Sequence, residues 1–255
     1  MSLRARLDAI VGPYALTLLR EATGRSDPLP HLAPSPPAAL APGRTVAFWS
    51  LCAGVGTSTT AALVAHRSTA ARAPALLVDL DLHAPALALR AGVQAATVAD
   101  ALLRPGRERE LVSRWERTPF LGGAPGLHAS FDGARVVALV ERAAAGRPAV
   151  LDLGAGADAL DATVLSRCAR LFVCAGTRVA QLQAAFCSAP LLSALPVPVA
   201  LVVVGASDED AKRIADRLPW PLAAVVPLDD HLARDDFAAR APTLHAIDHL
   251  IRAAA

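Results

Sequence analysis

The sequence predicts an α/β fold, in which helices cover both faces of a doubly wound, mostly parallel sheet. Three observations support this prediction. Short apolar runs are continuous and not alternating, as in parallel strands that are buried on both faces. Ala-rich helical segments separate most of these runs, and a glycine loop joins the first run to its helix. The chain of 255 residues has room for one such domain and a small appendage.

The elements follow one another in a regular order from residue 44 onward. Strands are predicted at 45–50, 75–80, 149–153, 171–175, 199–204 and 223–226. Helices are predicted at 59–72, 135–145, 159–167, 179–195, 209–218 and 244–255. This alternation places a helix layer on each side of the sheet.

The N-terminal region has a different composition from the rest of the chain. Residues 1–24 carry apolar side chains at helical spacing, which predicts a short N-terminal helical arm. Residues 25–43 are rich in Pro, Ala and Ser, as is typical of a linker. The α/β domain is therefore predicted at 44–255. The arm either docks to a partner or packs against its own domain.

Composition argues against nucleic-acid binding, a membrane span and a cysteine metal site. The net charge of +2 is too small to indicate nucleic-acid binding, and the arginines of 104–117 alternate with glutamates, as on a solvated helix face. No apolar run reaches the ~18 residues of a membrane span. The four cysteines have no metal-type spacing. We expect a cytoplasmic protein, and any recruitment to the cell pole or membrane is expected to proceed through its partners.

The loop after the first strand has the sequence GVGTST, residues 54–59. Gly54 and Gly56 permit a close approach to the backbone, and the N–H groups that open the next helix form an anion nest. A hydroxyl at Ser58 suits a Mg²⁺ ligand. These features favour a phosphate-binding loop, and the alternative is an ordinary tight turn between a strand and a helix.

Carboxylates follow two of the predicted strands. Asp79 and Asp81 end the second strand, and Asp152 ends the strand at 149–153, before a glycine turn. Because ligands of such sheets bind beyond the carboxyl ends of the strands, these groups can hold Mg²⁺ or orient an attacking water. The alternative is a set of solvated strand ends.

Taken in order, these segments resemble the ParA/MinD family of deviant Walker A P-loop ATPases across residues 44–255. The family loop has the form KGGxGKT, and its two lysines fall on Cys52 and Thr57 of this chain. Asp79 and Asp81 match the family's DxD motif, and Asp152 matches the Walker B aspartate. Later segments at 169–185 and 223–237, the second around Pro227, are similar to family units as well.

The resemblance implies a nucleotide site for ATP or ADP with Mg²⁺. It places the nucleotide on Gly54, Val55, Gly56, Thr57, Ser58, Thr59 and Pro227. It places Mg²⁺ near Ser58, Asp79 and Asp152, with the carboxylates acting through water, and it assigns Asp81 to the attacking water. It also implies a homodimer, or a heterodimer with a related ATPase.

A loop that keeps its glycines and lacks the second lysine is especially similar to the TadZ/CpaE branch and to septum-site-determining-like relatives. That branch implies a spatial organiser or scaffold for Flp/Tad-type pilus or secretion-machine assembly, with proteins of that machinery as partners. Lys212 is the only lysine of the chain, so no lysine lies near the loop in sequence.

The two missing lysines predict weak ATP binding. A charge-assisted contact contributes ~1.5–3 kcal/mol, or roughly ten- to hundredfold in affinity. Hydrolysis depends on electrostatic stabilisation of the transition state, so it suffers more than binding and is predicted to be very weak or absent. Two alternatives remain: an active ATPase for partitioning or division-site placement, and a nucleotide-free pseudo-ATPase that serves as an interaction partner.

Overall fold

A computed structural model describes residues 36–126, 131–233 and 237–254. All of them belong to one compact unit, Leu32–Ala255. The predicted arm at 1–24 and residues 25–35 of the predicted linker lie outside this range. The rest of the linker, 36–43, packs against the domain: Leu40 is buried, and its N–H donates to Ser68 Oγ at 3.1 Å. The described residues do not test the predicted boundaries of the arm (1–24) and the linker (25–43).

Within the described residues the sheet has eight strands and confirms the predicted α/β class. They are β1 (Thr45–Ser50), β2 (Leu76–Asp79), β3 (Ser113–Trp115), β4 (Thr118–Leu121), β5 (Ala149–Ala155), β6 (Arg170–Gly176), β7 (Val199–Val204) and β8 (Leu222–Val226). Their order across the sheet is β3-β4-β2-β5-β1-β6-β7-β8. All neighbours are parallel except β3, which runs antiparallel to β4.

Helices follow most of the strands. They are α1 (Thr57–Ala70), α2 (Leu87–Ala91), α3 (Val98–Leu102), α4 (Glu108–Leu111), α5 (Gly133–Ala144), α6 (Ala162–Leu165), α7 (Val179–Ser193), α8 (Asp208–Ala215), α9 (Asp230–Ala233) and α10 (Ala241–Ala253). The helix predicted at 159–167 is only the short α6, because the Asp161 side chain accepts from Val164 N and begins the helix there. No helix in the described ranges is long and apolar enough to cross a membrane.

The core lies on both sides of the sheet. In β1, Ala47 and Trp49 belong to the cluster that includes α5 and α7, whereas Val46 and Phe48 belong to the cluster with α1 and α10. The Phe48 ring stacks on Phe172 of β6, with centroids 4.9 Å apart. Continuous apolar strands are therefore needed here, because successive side chains enter different halves of the core.

The sequence prediction missed the β3–β4 hairpin. The segment 104–117 was expected to be one solvated helix face, but it contains α4 and then β3. The Glu108 side chain is buried and pairs with Arg142 Nε at 2.8 Å. Two features hide the hairpin: Pro119 lies inside β4, and Glu116 takes a positive φ of 52° in the turn, which residues other than glycine rarely adopt.

Candidate functional site

The glycine loop, residues 51–56, lies at the carboxyl edge of the sheet, where the parallel strands end. Because β1 lies between β5 and β6, the loop sits where the strand order reverses, which is the usual ligand position in such sheets. Gly54 and Gly56 take φ values of +77° and +85°, so both need the freedom of glycine. Gly56 directly precedes α1, whose first N–H groups have no partners within the helix.

Thr57, where the resemblance places the second lysine of the ParA/MinD loop, has its side chain buried beneath the loop. Its hydroxyl donates to Ser50 Oγ at 3.0 Å, and the Ser50 hydroxyl donates to the Cys52 carbonyl at 2.9 Å. These two bonds tie the end of β1 to the loop and to α1. Thr57 therefore offers a ligand its backbone N–H, whereas its side chain supports the loop from below.

Asp79 and Asp152 face each other at the foot of this loop. Asp79 is the last residue of β2, Asp152 lies within the neighbouring strand β5, and the two are direct partners in the register of the sheet. Both side chains are buried, each 1% exposed. The Asp79 carboxylate accepts the N–H groups of Asp81 and Leu87 at 3.1 and 3.2 Å. The structure thus brings together two carboxylates that lie far apart in the sequence.

Only one of the two oxygens of the Asp152 carboxylate accepts a hydrogen bond. Its Oδ1 accepts from Gly154 N at 3.1 Å, and its Oδ2 is buried with no hydrogen-bond partner. The Ser58 hydroxyl lies close enough to lower the pKa of Asp152, but it forms no hydrogen bond that completes Oδ2. A buried, unpaired oxygen of this kind is available to a bound ion or a water.

Burial and mutual repulsion perturb both carboxyl groups. Burial, followed by the charge of Asp79, raises the pKa of Asp152 to about 7. Burial likewise raises the pKa of Asp79 to about 6, although the N–H groups of Asp81 and Leu87 act to lower it. A divalent cation between these groups and a phosphate would remove the repulsion that makes their ionisation unfavourable.

The donor set fits Mg²⁺ better than a metal held by protein ligands alone. Among the residues that the structure describes, no three His, Cys, Asp or Glu side chains are grouped so that they could hold a metal ion. Mg²⁺ keeps several waters and takes one or two carboxylates together with substrate phosphates. Ser58, Asp152 and Asp79 supply such a partial set next to the glycine loop.

Asp81 lies against Gly154, near the carboxyl end of β5. Its Oδ1 accepts the N–H groups of His83 and Ala84 at 3.0 and 2.9 Å, which closes the turn after β2. Gly154 takes φ +63°, and a Cβ added there would collide with the Asp81 carboxylate. The predicted DxD motif and the predicted glycine turn are therefore in contact.

Further contacts hold the segment 154–158, here called the switch segment. Trp49 Nε1 donates to the Gly156 carbonyl at 2.7 Å, and Gly156 N donates to the Ser50 carbonyl at 3.1 Å. His83 Nε2 lies 2.5 Å from Asp158 Oδ2, which links the turn after β2 to this segment. Sequence reasoning missed these contacts, because no local pattern relates their members.

Two side chains that the sequence did not single out touch the loop region. Gln181 of α7 donates from Nε2 to the Gly54 carbonyl at 3.4 Å. Arg90 of α2 donates from Nη1 to Thr59 Oγ1 at 3.0 Å, and its guanidinium lies 5.0 Å from the centre of the Phe237 ring. The Thr59 hydroxyl is thus engaged with Arg90.

The other flank of the loop is apolar. A Cβ added at Gly56 would lie 3.7 Å from a methyl group of Val204, the last residue of β7. Pro227 directly follows β8 at the same edge of the sheet, and Val55 is buried under the loop. The structure therefore places Val55 in the core and Pro227 at the carboxyl edge.

Comparisons with known proteins give structural matches. No protein-family model matches the sequence, and neither does any curated protein. A ParA family ATPase from Chlorobium tepidum has a TM-score of 0.68 and 18% identity, covering 82% of this chain and 99% of that chain. The MinC:MinD cell division complex of Aquifex aeolicus has a TM-score of 0.67 and 16% identity, and the match covers 82% of this chain and 95% of that chain.

A third match is the septum site-determining protein MinD complexed with Mg-ADP from Pyrococcus horikoshii. Its TM-score is 0.61 and its identity 19%, and the match covers 82% of this chain and 95% of that chain. At such identities the likeness concerns the fold alone. The described chain therefore has the α/β fold of solved ParA and MinD structures.

Proposed function

We propose that this chain is a degenerate ParA/MinD-like nucleotide-binding protein, which binds Mg-ATP or Mg-ADP weakly and hydrolyses little or no ATP. The observation that carries the proposal is the buried pair Asp79–Asp152 below the glycine loop. One oxygen of this pair, Asp152 Oδ2, has no partner in the described structure. A structural turn needs no such pair, whereas a Mg-phosphate site does.

Each part of the site has a separate task in this proposal. The N–H groups of residues 54–59 bind the phosphates, as helix N-termini and glycine loops do. Ser58 would hold Mg²⁺, with Asp79 and Asp152 acting through water. When bound, Mg²⁺ supplies positive charge between the phosphates and the carboxylates. Asp81 orients a water molecule with Oδ2, because its Oδ1 already accepts two backbone N–H groups.

Weak binding follows from the two positions that lack lysine. Cys52 brings no positive charge, and the Thr57 hydroxyl is engaged with Ser50 below the loop. Each absent lysine removes a contact of ~1.5–3 kcal/mol. Transition-state charge loses the same contacts, so turnover falls further than affinity.

For the cellular role, we propose a TadZ/CpaE-like scaffold that organises Flp/Tad-type pilus or secretion-machine assembly from the cytoplasm. The loss of both lysines supports a scaffold over a cycling enzyme. One structural match is a MinC:MinD complex, in which a protein of this fold binds a protein partner. Recruitment to the cell pole or membrane then proceeds through partners of this kind.

The carboxyl edge also carries a surface suited to a second chain. Val179 begins α7 after β6 and is 82% exposed, and Leu228 follows β8 and is 70% exposed. Exposed apolar groups next to the nucleotide site support a homodimer, or a heterodimer with a related ATPase, across this face.

Light scattering after size exclusion tests the dimer, with and without Mg-ATP. The double variant Val179→Ser, Leu228→Ser should remain monomeric. Leu103→Ser is the matched control, since Leu103 is 79% exposed but follows no strand, and it should associate like the parent. A monomeric parent under all conditions would exclude a homodimer and leave the heterodimer.

A thermal melt with and without Mg-ATP tests nucleotide binding. Ligand at 100 times Kd stabilises by ~2.7 kcal/mol, or roughly 5–10 °C for a domain of this size. A saturable shift that needs Mg²⁺ and is lost in Asp152→Ala supports the proposal. No shift at millimolar ATP would refute nucleotide binding and leave a pseudo-ATPase partner. Phosphate release that Asp81→Ala abolishes would favour an active ATPase.

A further inference from the structure

Two histidines lie one turn apart on α10, away from the nucleotide site. His245 and His249 approach each other through their Nε2 atoms, which are 3.1 Å apart. Their ring centroids are 4.7 Å apart, with an angle of 70° between the planes. His249 is exposed and His245 is half-buried, so a dissolved ion has access to both nitrogens.

This separation suits a shared metal ion. Zn²⁺ binds imidazole nitrogen at ~2.0–2.1 Å, so two ligands at a tetrahedral angle have nitrogens about 3.3 Å apart. Histidines four residues apart on a helix are also the arrangement by which one helix face presents two ligands to Zn²⁺. We propose that His245 and His249 bind a divalent transition-metal ion of the Zn²⁺ class through Nε2, with water in the remaining positions.

Asp248 does not take part in this site, although it lies between the two histidines in sequence. Its carboxylate is buried and accepts from Arg67 Nε and Nη2 at 2.8 and 2.7 Å. It also accepts from Ala38 N at 2.9 Å. These bonds fix α10 to α1 and orient Asp248 into the protein. Asp248 is therefore not available as a ligand of this site.

The same contact has one competing explanation. Two neutral imidazoles can share one proton in an Nε2–H···Nε2 hydrogen bond, which also brings the nitrogens to about 3 Å. A metal bound to both Nε2 atoms takes the place of that proton, which moves to Nδ1 of the same ring, so only the metal site predicts a saturable response to added Zn²⁺. Arg252, three residues further along the helix, is exposed and its charge keeps the affinity for a cation modest.

Zn²⁺ titration of the untagged, full-length protein against a chromophoric chelator tests the proposal. We expect one equivalent of Zn²⁺ to bind with modest affinity, reduced at least tenfold in His245→Gln and in His249→Gln. His231→Gln is the matched control, a histidine outside the pair, and it should bind like the parent. Affinity should fall as pH falls, because protons compete with the metal for imidazole nitrogen.

A thermal melt adds a second readout. Zn²⁺ should raise Tm in the parent and in His231→Gln, but not in either variant of the pair. Absence of binding, or binding that persists in both variants of the pair, would overturn the proposal and leave the hydrogen bond. The His249→Gln variant should retain any response to Mg-ATP, so this result and that for the nucleotide site can be separated.

Discussion

Replacing Asp152 with asparagine should make the ligand-free protein more stable at pH 8. The buried carboxyls of Asp79 and Asp152 are register partners, and their pKa values are raised to about 6 and about 7. Between about pH 4 and pH 7 the folded protein therefore holds protons that the unfolded chain releases. By linkage, this pair makes stability fall as pH rises through that window.

The magnitude follows from the pKa of Asp152, which rises from 3.8 to about 7. At ~1.4 kcal/mol per unit, ionising this group costs on the order of 4 kcal/mol in the folded state. Asparagine removes that cost but buries an NH₂ group that lacks an acceptor, which costs roughly 1–3 kcal/mol. The net gain at pH 8 is about 1–3 kcal/mol, or ~2–4 °C in Tm for each kcal/mol.

Thermal melts of the parent and Asp152→Asn at pH 5 and pH 8, with and without Mg-ATP, measure this effect. At pH 5 the two proteins should differ little, because keeping the parent carboxyl protonated costs only ~1.6 kcal/mol there, about as much as burying the NH₂ group of asparagine. At pH 8 the variant should melt higher without ligand and gain nothing from Mg-ATP. Asp229→Asn is the control: its buried carboxylate accepts three hydrogen bonds, so the variant should lose stability at both pH values.

The reasoning fails if Asp152→Asn is destabilised equally at pH 5 and pH 8. That result would mean that the pair does not carry the repulsion derived from its burial. A Mg-dependent ATP shift that survives in the variant would show instead that Asp152 takes no part in holding the cation.

Three further predictions concern the loop and the switch segment. Gly154→Ala should lose more stability in denaturant unfolding than Gly146→Ala. Both positions have a positive φ, which costs alanine roughly 1–2 kcal/mol, but only the Cβ at position 154 would meet a carboxylate, that of Asp81. Equal losses would show that the Asp81 carboxylate adds no cost. Thr57→Lys should tighten Mg-ATP binding about ten- to hundredfold by calorimetry, whereas Thr57→Val should lose ~1 kcal/mol of stability and leave affinity unchanged. Trp49→Phe removes the bond to the Gly156 carbonyl and should speed hydrogen exchange at 154–158, and unchanged exchange would refute that role.

The strands that carry the site could be predicted because their signal is local. β1 and β7 begin and end where the apolar runs do, and β2, β5, β6 and β8 differ by one or two residues. The β3–β4 hairpin could not be predicted, because three- and four-residue strands at the edge of a sheet have little periodicity. Trp115 packs there against Phe237, with ring centroids 4.5 Å apart, and that tertiary contact stabilises the hairpin.

The site was predictable only as far as topology determines it. Parallel strands end at one edge, so the sequence could place Asp79 and Asp152 together without knowing their distance. The pairs His83–Asp158 and Gln181–Gly54 could not be foreseen, because each joins loops or helices that are far apart in the chain. Such contacts depend on how elements pack, which no local pattern encodes.

The carboxylate pair is stronger evidence for nucleotide binding than the glycine loop is. The positive φ values of Gly54 and Gly56 suit an ordinary tight turn as well as a phosphate-binding loop, so the loop alone does not distinguish the two. A buried pair of like charges is different, because it lowers the stability of the ligand-free fold at neutral pH. Mg-nucleotide would convert this repulsion into binding energy, and it would do so without either lysine. On this proposal, weak binding through the loop and the carboxylate pair persists even where hydrolysis is lost.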